Sequence, residues 1–214
     1  MDSTINTGWF EAKELQGVRW LVPFIYPLLH QATRPKDQDL LDKVGLSSGE
    51  DVLFFAGYHG DWPYALSRAG CNVTYIDLSD GLVELVRRNG RGRNFVEIFA
   101  ADGGQHPNMA AAYDWSMSFE PLPMRDTDSL HRALERSLLN RKGGKIVVRP
   151  KTEGLIIPIV ESFAAEKGAE YRLDRINISA KRKYGLSVES IPHTVLTVET
   201  NDELRREAYF RYCP

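Results

Sequence analysis

Five short apolar runs recur along the chain, with helix-like stretches between most of them: VLFF (52–55), CNVTYID (71–77), NFVEIFA (94–100), YDWSMSF (113–119) and KIVVRP (145–150). Short apolar runs bounded by turn signals are the pattern of strands buried on both faces, as in parallel sheets. Strands that alternate with helices must be joined by crossovers, which puts helices on both sides of the sheet. Two further strand-like segments, AEYRLDRINIS (169–179) and IPHTVLTVET (191–200), follow one another with KRKYG in their connection. The expected fold class is therefore α/β, a three-layer α/β/α sandwich around a mostly parallel seven-stranded sheet.

The helices between the strands carry local signals. Asp61 is a good N-cap, Pro63 falls in the first turn where a missing N–H costs little, and Gly70 supplies a stop. Ser79 can cap a helix whose apolar face is Leu82, Val83, Leu85 and Val86, ended by Asn89-Gly90. DSLHRALERSLLNRKGG is amphipathic with a double-glycine stop, and GLIIPIVESFAAEKG reads as a helix broken or entered at Pro158. Towards the N-terminus, PKDQDLLDKVGL predicts a short helix with Leu40, Leu41 and Val44, closed by Gly45. Residues 9–31 read as a helical arm with proline breaks, and NDELRREAYFRYCP as a charged tail. The expected organisation is an N-terminal helical arm or lid over 1–45, and one globular unit over 46–214. Trp9, Phe10, Trp20 and Tyr26 are aromatic residues of that arm that could close over a ligand.

Composition narrows the function classes. With 214 residues and a formal charge of −2, nothing in the net balance favours bulk nucleic-acid binding. The basic stretches RRNGRGR (87–93) and KRK (181–183) read as solvated. The most apolar segment, WLVPFIYPLL, is interrupted by Pro23 and Pro27 and is far shorter than the roughly 20 residues that span a bilayer. Cys71 and Cys213 are widely separated and form no metal-ligand spacing, so no metal is expected. The N-terminus is polar and acidic rather than signal-like, and a cytoplasmic location is expected.

In open α/β sheets, ligands sit at the carboxyl ends of the strands, near the switch in strand order. Polar groups collect at those ends here: the loop AGYHGD (56–61), Asp77, Asp102, and Ser118 to Glu120. A glycine-bearing turn lets backbone approach a ligand, and the following helix N-terminus offers unpaired N–H groups. An acid ending the second strand can accept both hydroxyl protons of a ribose. Asp77 follows Gly60 by 17 residues, close to the roughly 20 of that geometry. An acid after the third strand, Asp102, can accept from an exocyclic amine.

The ordered phrases LSSGEDVLFFAGYHGDW, NVTYIDLSDGLVELVRR, FAADGG, YDWSMSFEPLP and RKGGKIVVRP resemble the class I S-adenosylmethionine-dependent methyltransferases over roughly residues 46–150. The final strand pair suits the antiparallel hairpin that closes the sheet of that family. The resemblance implies S-adenosylmethionine as cofactor. It implies that Ala56, Gly57, Tyr58 and Gly60 line the methionine part, that Asp77 binds the ribose with Leu78 against the adenine, and that Asp102 takes the adenine amine beside Gly103. Phe119 and Glu120 would face the transferred methyl or the substrate. His59 and Glu120 are candidate bases, although methyl transfer needs mainly positioning of donor and acceptor. The chain departs from the family pattern at Phe54, where an acid is usual, and at Ala56 and Tyr58, which replace glycines.

Three readings follow. The first is a methyltransferase with a small-molecule or protein acceptor. The second is a catalytically silent methyltransferase-like binding or regulatory subunit, motivated by Phe54, Ala56 and Tyr58. The third is a nicotinamide-dependent Rossmann enzyme, against which the three-glycine fingerprint is absent.

Overall fold

The structure is a computed structural model that describes residues 33–35, 39–55, 61–77, 83, 86–87, 95–100, 113–119, 127–182 and 188–212. Its strands are β1 (Thr33–Pro35), β2 (Asp51–Phe55), β3 (Asn72–Asp77), β4 (Phe95–Ala100), β5 (Trp115–Phe119), β6 (Gly143–Val148), β7 (Glu170–Arg182) and β8 (Val188–Glu199). They form one sheet in the order β1-β7-β8-β6-β5-β2-β3-β4. The pairs among β4, β3, β2, β5 and β6 are parallel, while β8 is antiparallel to both β6 and β7. The fold is thus mixed α/β, with the expected antiparallel C-terminal strand.

The described helices are α1 (Leu40–Val44), α2 (Asp61–Ala69), α3 (Thr127–Ser137), α4 (Pro150–Lys167) and α5 (Asp202–Tyr212). Strand side chains alternate between the two faces of the sheet. In β2, Val52 and Phe54 join a cluster with Leu40 and Val44 of α1 and Trp62, Ala65 and Leu66 of α2. Leu53 and Phe55 join a second cluster with Leu130 and Leu134 of α3 and Ile156, Val160 and Phe163 of α4. Continuous apolar runs were the right signal because these strands are buried from both sides.

Four details differ from the sequence reading. Among the described residues the sheet has eight strands where seven were expected, because Thr33–Pro35, within the stretch expected to be a helical arm, pair antiparallel with Arg182 to Ala180 of β7. Residues 1–32 lie outside the described residues. Helix α4 is neither broken nor entered at Pro158: it begins with Pro150 at its first position and runs through. The proline forfeits one helical hydrogen bond, but the buried stripe of Ile156, Val160, Phe163 and Ala164 spans it and holds both halves against the sheet. The two C-terminal strands are longer than expected. The charged tail contains a helix, α5, entered through a hydrogen bond from the Leu204 N–H to Asn201 Oδ1 (2.9 Å) and anchored by buried Leu204 and Ala208.

The double glycine that opens β6 has a steric cause. Gly143 has φ +128°, and a Cβ there would lie 2.1 Å from the Val198 carbonyl oxygen of β8. At Gly144 a Cβ would meet Ser137 of α3 at 2.6 Å. Asn140 Nδ2 donates to the Gly143 carbonyl at 3.2 Å and pins the turn. Replacing Gly143 with alanine is expected to cost roughly 2–4 kcal/mol from backbone strain and overlap, read as a lower urea midpoint.

Lys145 of β6 is only 1 % exposed. Its Nζ lies 4.1 Å from the Trp115 ring centroid and donates to Thr197 Oγ1 at 3.3 Å. Burial, followed by the nearby Arg172 charge, pushes its pKa down to about 8. In the unfolded chain the ordinary value near 10.5 returns, so between pH 8 and 10.5 the unfolded state binds more protons and stability rises with pH. Lys145→Met is expected to stabilise the protein at pH 7 by about 1–3 kcal/mol and to abolish that rise, as measured by denaturant titration across the range.

Candidate active site

The strand order reverses direction at β2, which pairs with β3 on one side and β5 on the other. In open α/β sheets a switch point of this kind is where ligands bind, outside the carboxyl ends of the flanking strands. Asp77 ends β3 and is 9 % exposed. Tyr75, two residues earlier on the same face, donates its hydroxyl to Asp77 Oδ2 at 2.7 Å. That bond fixes the orientation of the carboxylate.

Phe119 ends β5, and three groups surround its ring. Trp62, in the first turn of α2, stacks on it at 5.1 Å between centroids and 23° between planes. His193 of β8 approaches Phe119 at 5.8 Å and Trp62 at 5.7 Å. The Arg149 guanidinium, just beyond β6, lies 5.7 Å from the Phe119 centroid. Trp62 and His193 are each 2 % exposed and Phe119 is 8 %. Trp62 Nε1 is a buried donor with no hydrogen-bond partner among the described residues. Such an atom inside a well-packed cluster calls for a physical explanation.

His193 Nδ1 lies 2.9 Å from the Ile191 carbonyl oxygen. A carbonyl can only accept, so Nδ1 carries a proton. Sequence reading missed His193 because it sits inside a strand pattern. The available signal was an imidazole beside Pro192 where an apolar residue would otherwise serve the core. Arg149 was missed for the same reason, as the end of an apolar run.

A groove of about 400 Å³ lies nearby, lined by Pro150, Glu153, Arg175, Asn177, Pro192 and Thr194 among others. Thr194 donates to Glu153 of α4 within it. Alternation along β8 sends Thr194, with Leu196 and Val198, to the α4 side. The ring of His193 shares the α2 side with Trp62 and Phe119. His193 also lines the groove, so the groove and the aromatic cluster meet at that residue.

Of the residues singled out from sequence, Asp77 and Phe119 are described and stand at the ends of β3 and β5, the two strands that flank β2. Ala56, Gly57, Tyr58, His59, Gly60, Leu78, Asp102, Gly103 and Glu120 lie outside the described residues. Phe54 is fully buried in the core with Tyr75, Met117 and Phe119. The position where related loops carry an acid is structural in this chain.

No family model matches the sequence, and no curated protein matches it. Solved structures do match in shape. The fold is that of the class I methyltransferases. Magnesium protoporphyrin IX methyltransferase (ChlM) from Synechocystis PCC 6803, with bound SAH, is similar at a TM-score of 0.57 and 14% identity, over 90% of this chain and 96% of that one. N-methyltransferase NodS from Bradyrhizobium japonicum WM9 is similar at 0.52 and 17%, over 76% and 92%. Precorrin 8W decarboxylase from Methanobacterium thermoautotrophicum is similar at 0.51 and 13%, over 74% and 86%. The last is a reminder that one fold serves several chemistries. Among the described residues no helix is long and apolar enough to cross a membrane.

The core role of Phe54 is testable. Phe54→Asp, which introduces the acid of related loops, buries an unpaired carboxylate and is expected to cost at least about 4 kcal/mol. Phe54→Leu is expected to cost about 1 kcal/mol. Thermal melts of the two variants distinguish a core position from a ligand-facing one.

Proposed function

We propose that the chain is an S-adenosylmethionine-dependent methyltransferase acting on a small acceptor. The observation that carries this reading is the switch point at β2, with the Tyr75-oriented carboxylate of Asp77 at one strand end and the aromatic ring of Phe119 at the other. The donor set suits the cofactor. Asp77 offers acceptor oxygens to ribose hydroxyls. The Trp62 and Phe119 rings offer faces that attract a sulfonium by the electrostatics that draw any cation to an aromatic. Leu78, Asp102 and Gly103 would meet the adenine, and Ala56, Gly57, Tyr58 and Gly60 the methionine part. When bound, the cofactor supplies an electrophilic methyl group; the protein's task is to align an acceptor with it and exclude water. A three-layer α/β/α organisation and a cytoplasmic location go with this reading, as does a lid role for residues 1–45.

One observation favours the second reading, a binding or regulatory subunit. Trp62 packs directly on Phe119, at the strand end where donor and acceptor would meet. Calorimetry decides between them. S-adenosylhomocysteine is expected to bind the wild-type protein at micromolar concentration, and Asp77→Ala to weaken it roughly tenfold or more. Absence of heat and of any thermal shift at millimolar ligand would overturn the methyltransferase reading in favour of the second.

A further inference from the structure

We propose that the groove between α4 and the β7–β8 ribbon binds a free α-amino acid, with its carboxylate on Arg175 and its ammonium on Glu153. The site does not rest on the methyltransferase reading, since neither residue belongs to a strand that flanks β2.

Strand register builds the site. Arg175 of β7 is the cross-strand partner of Thr194 of β8, so the two side chains rise from the same face of the ribbon. Glu153 reaches the pair from the first turn of α4, where an acid complements the positive end of the helix. Thr194 is 1 % exposed, and its hydroxyl donates to Glu153 Oε1. That bond holds the carboxylate in place and leaves Oε2 to accept from elsewhere. Arg175 is exposed and, like Glu153, has no ionic partner among the described residues. A cation and an anion therefore line one groove, both beside Thr194, without pairing with each other.

The two charges select the ligand. A molecule of one sign satisfies one of them and is repelled by the other. A zwitterion meets both. Its carboxylate suits the guanidinium fork, which pairs with carboxylates in bidentate fashion, and its ammonium brings three N–H donors to the Glu153 carboxylate. In an α-amino acid a single carbon joins the two groups, which suits side chains that share Thr194 as a neighbour. A peptide keeps only one of the two charges at either end, so the free amino acid is the matched ligand. The groove, of about 400 Å³, has room beyond these backbone groups for a side chain. Its walls there are the rings of Pro150 and Pro192, and Asn177, two residues beyond Arg175 on the same face, offers an amide.

The test titrates the full chain with each of the standard L-amino acids by calorimetry. At least one is expected to bind at about millimolar concentration or below. Its methyl ester, which lacks the carboxylate, and its N-acetyl form, which lacks the ammonium, are each expected to bind roughly tenfold or more weakly. Two variants assign the ends. Arg175→Gln changes an exposed strand position and is expected to bind the amino acid and its ester alike, while still rejecting the N-acetyl form. Glu153→Gln keeps an oxygen for the Thr194 hydroxyl and is expected to bind the amino acid and its N-acetyl form alike, while still rejecting the ester. A merely structural role for either residue would weaken all three ligands together rather than produce this crossed pattern. S-adenosylhomocysteine carries an amino-acid end of its own, so the titration is repeated with that compound at millimolar concentration. Unchanged amino-acid affinity is expected, and competition would overturn the placement in the groove. Absence of binding by every amino acid at about 10 mM, or a folded variant that keeps both preferences, would overturn the proposal.

Discussion

The insertion of β8 between β6 and β7 is the constraint on which the candidate site depends. β8 runs against its neighbours, so its beginning, not its end, reaches the carboxyl ends of the parallel strands. The ladder from Gly143↔Glu199 to Val148↔Thr194 fixes how far it reaches. With Thr194 opposite Val148, His193 stands just above the last pair, on the face that Phe119 and Trp62 share. At the other end of the ladder, the missing side chain of Gly143 allows the Val198 carbonyl to approach. The chemistry at the head of the sheet thus rests on a steric concession at its foot.

The α/β class was legible because parallel strands buried on both faces leave continuous apolar runs, and VLFF and YDWSMSF each fill both cores. The position of Asp77 at the end of β3 was legible because an acid closing an apolar run marks where the strand stops. β1 was not: Thr-Arg-Pro carries no strand pattern, and its pairing with Arg182 to Ala180 is created by the partner strand. The helix of the C-terminal tail was hidden by its high charge, since only Leu204 and Ala208 are fully buried while Arg205, Arg211 and Tyr212 dock through polar contacts. His193 and Arg149 were hidden because one-dimensional patterning shows alternation but not which strand ends become neighbours. Their proximity to Trp62 and Phe119 arises from strand order alone.

Phe54 and Lys145 show opposite ways of departing from simple patterning on the same face of the sheet. Phe54 gives the core an apolar side chain where related loops carry a charge, and the cluster around Tyr75 and Met117 closes over it. Lys145 puts a cation into that same layer, tolerated through the Trp115 ring and Thr197. The first strengthens the frame beside the switch point. The second carries a desolvation penalty that remains whenever the amine is protonated.

The β7–β8 ladder continues past the last β6 pair, from Ile176↔His193 out to Lys181↔Val188. Side chains alternate along it with a period of two. Gaining or losing a single residue within β8 would turn His193 to the α4 side and bring a neighbour to Phe119, with no change in composition to betray it. Length changes outside the paired stretch would not shift this register. Descendants of this chain are therefore free to diversify at the tip of the ribbon while its paired stretch tolerates substitution but not insertion.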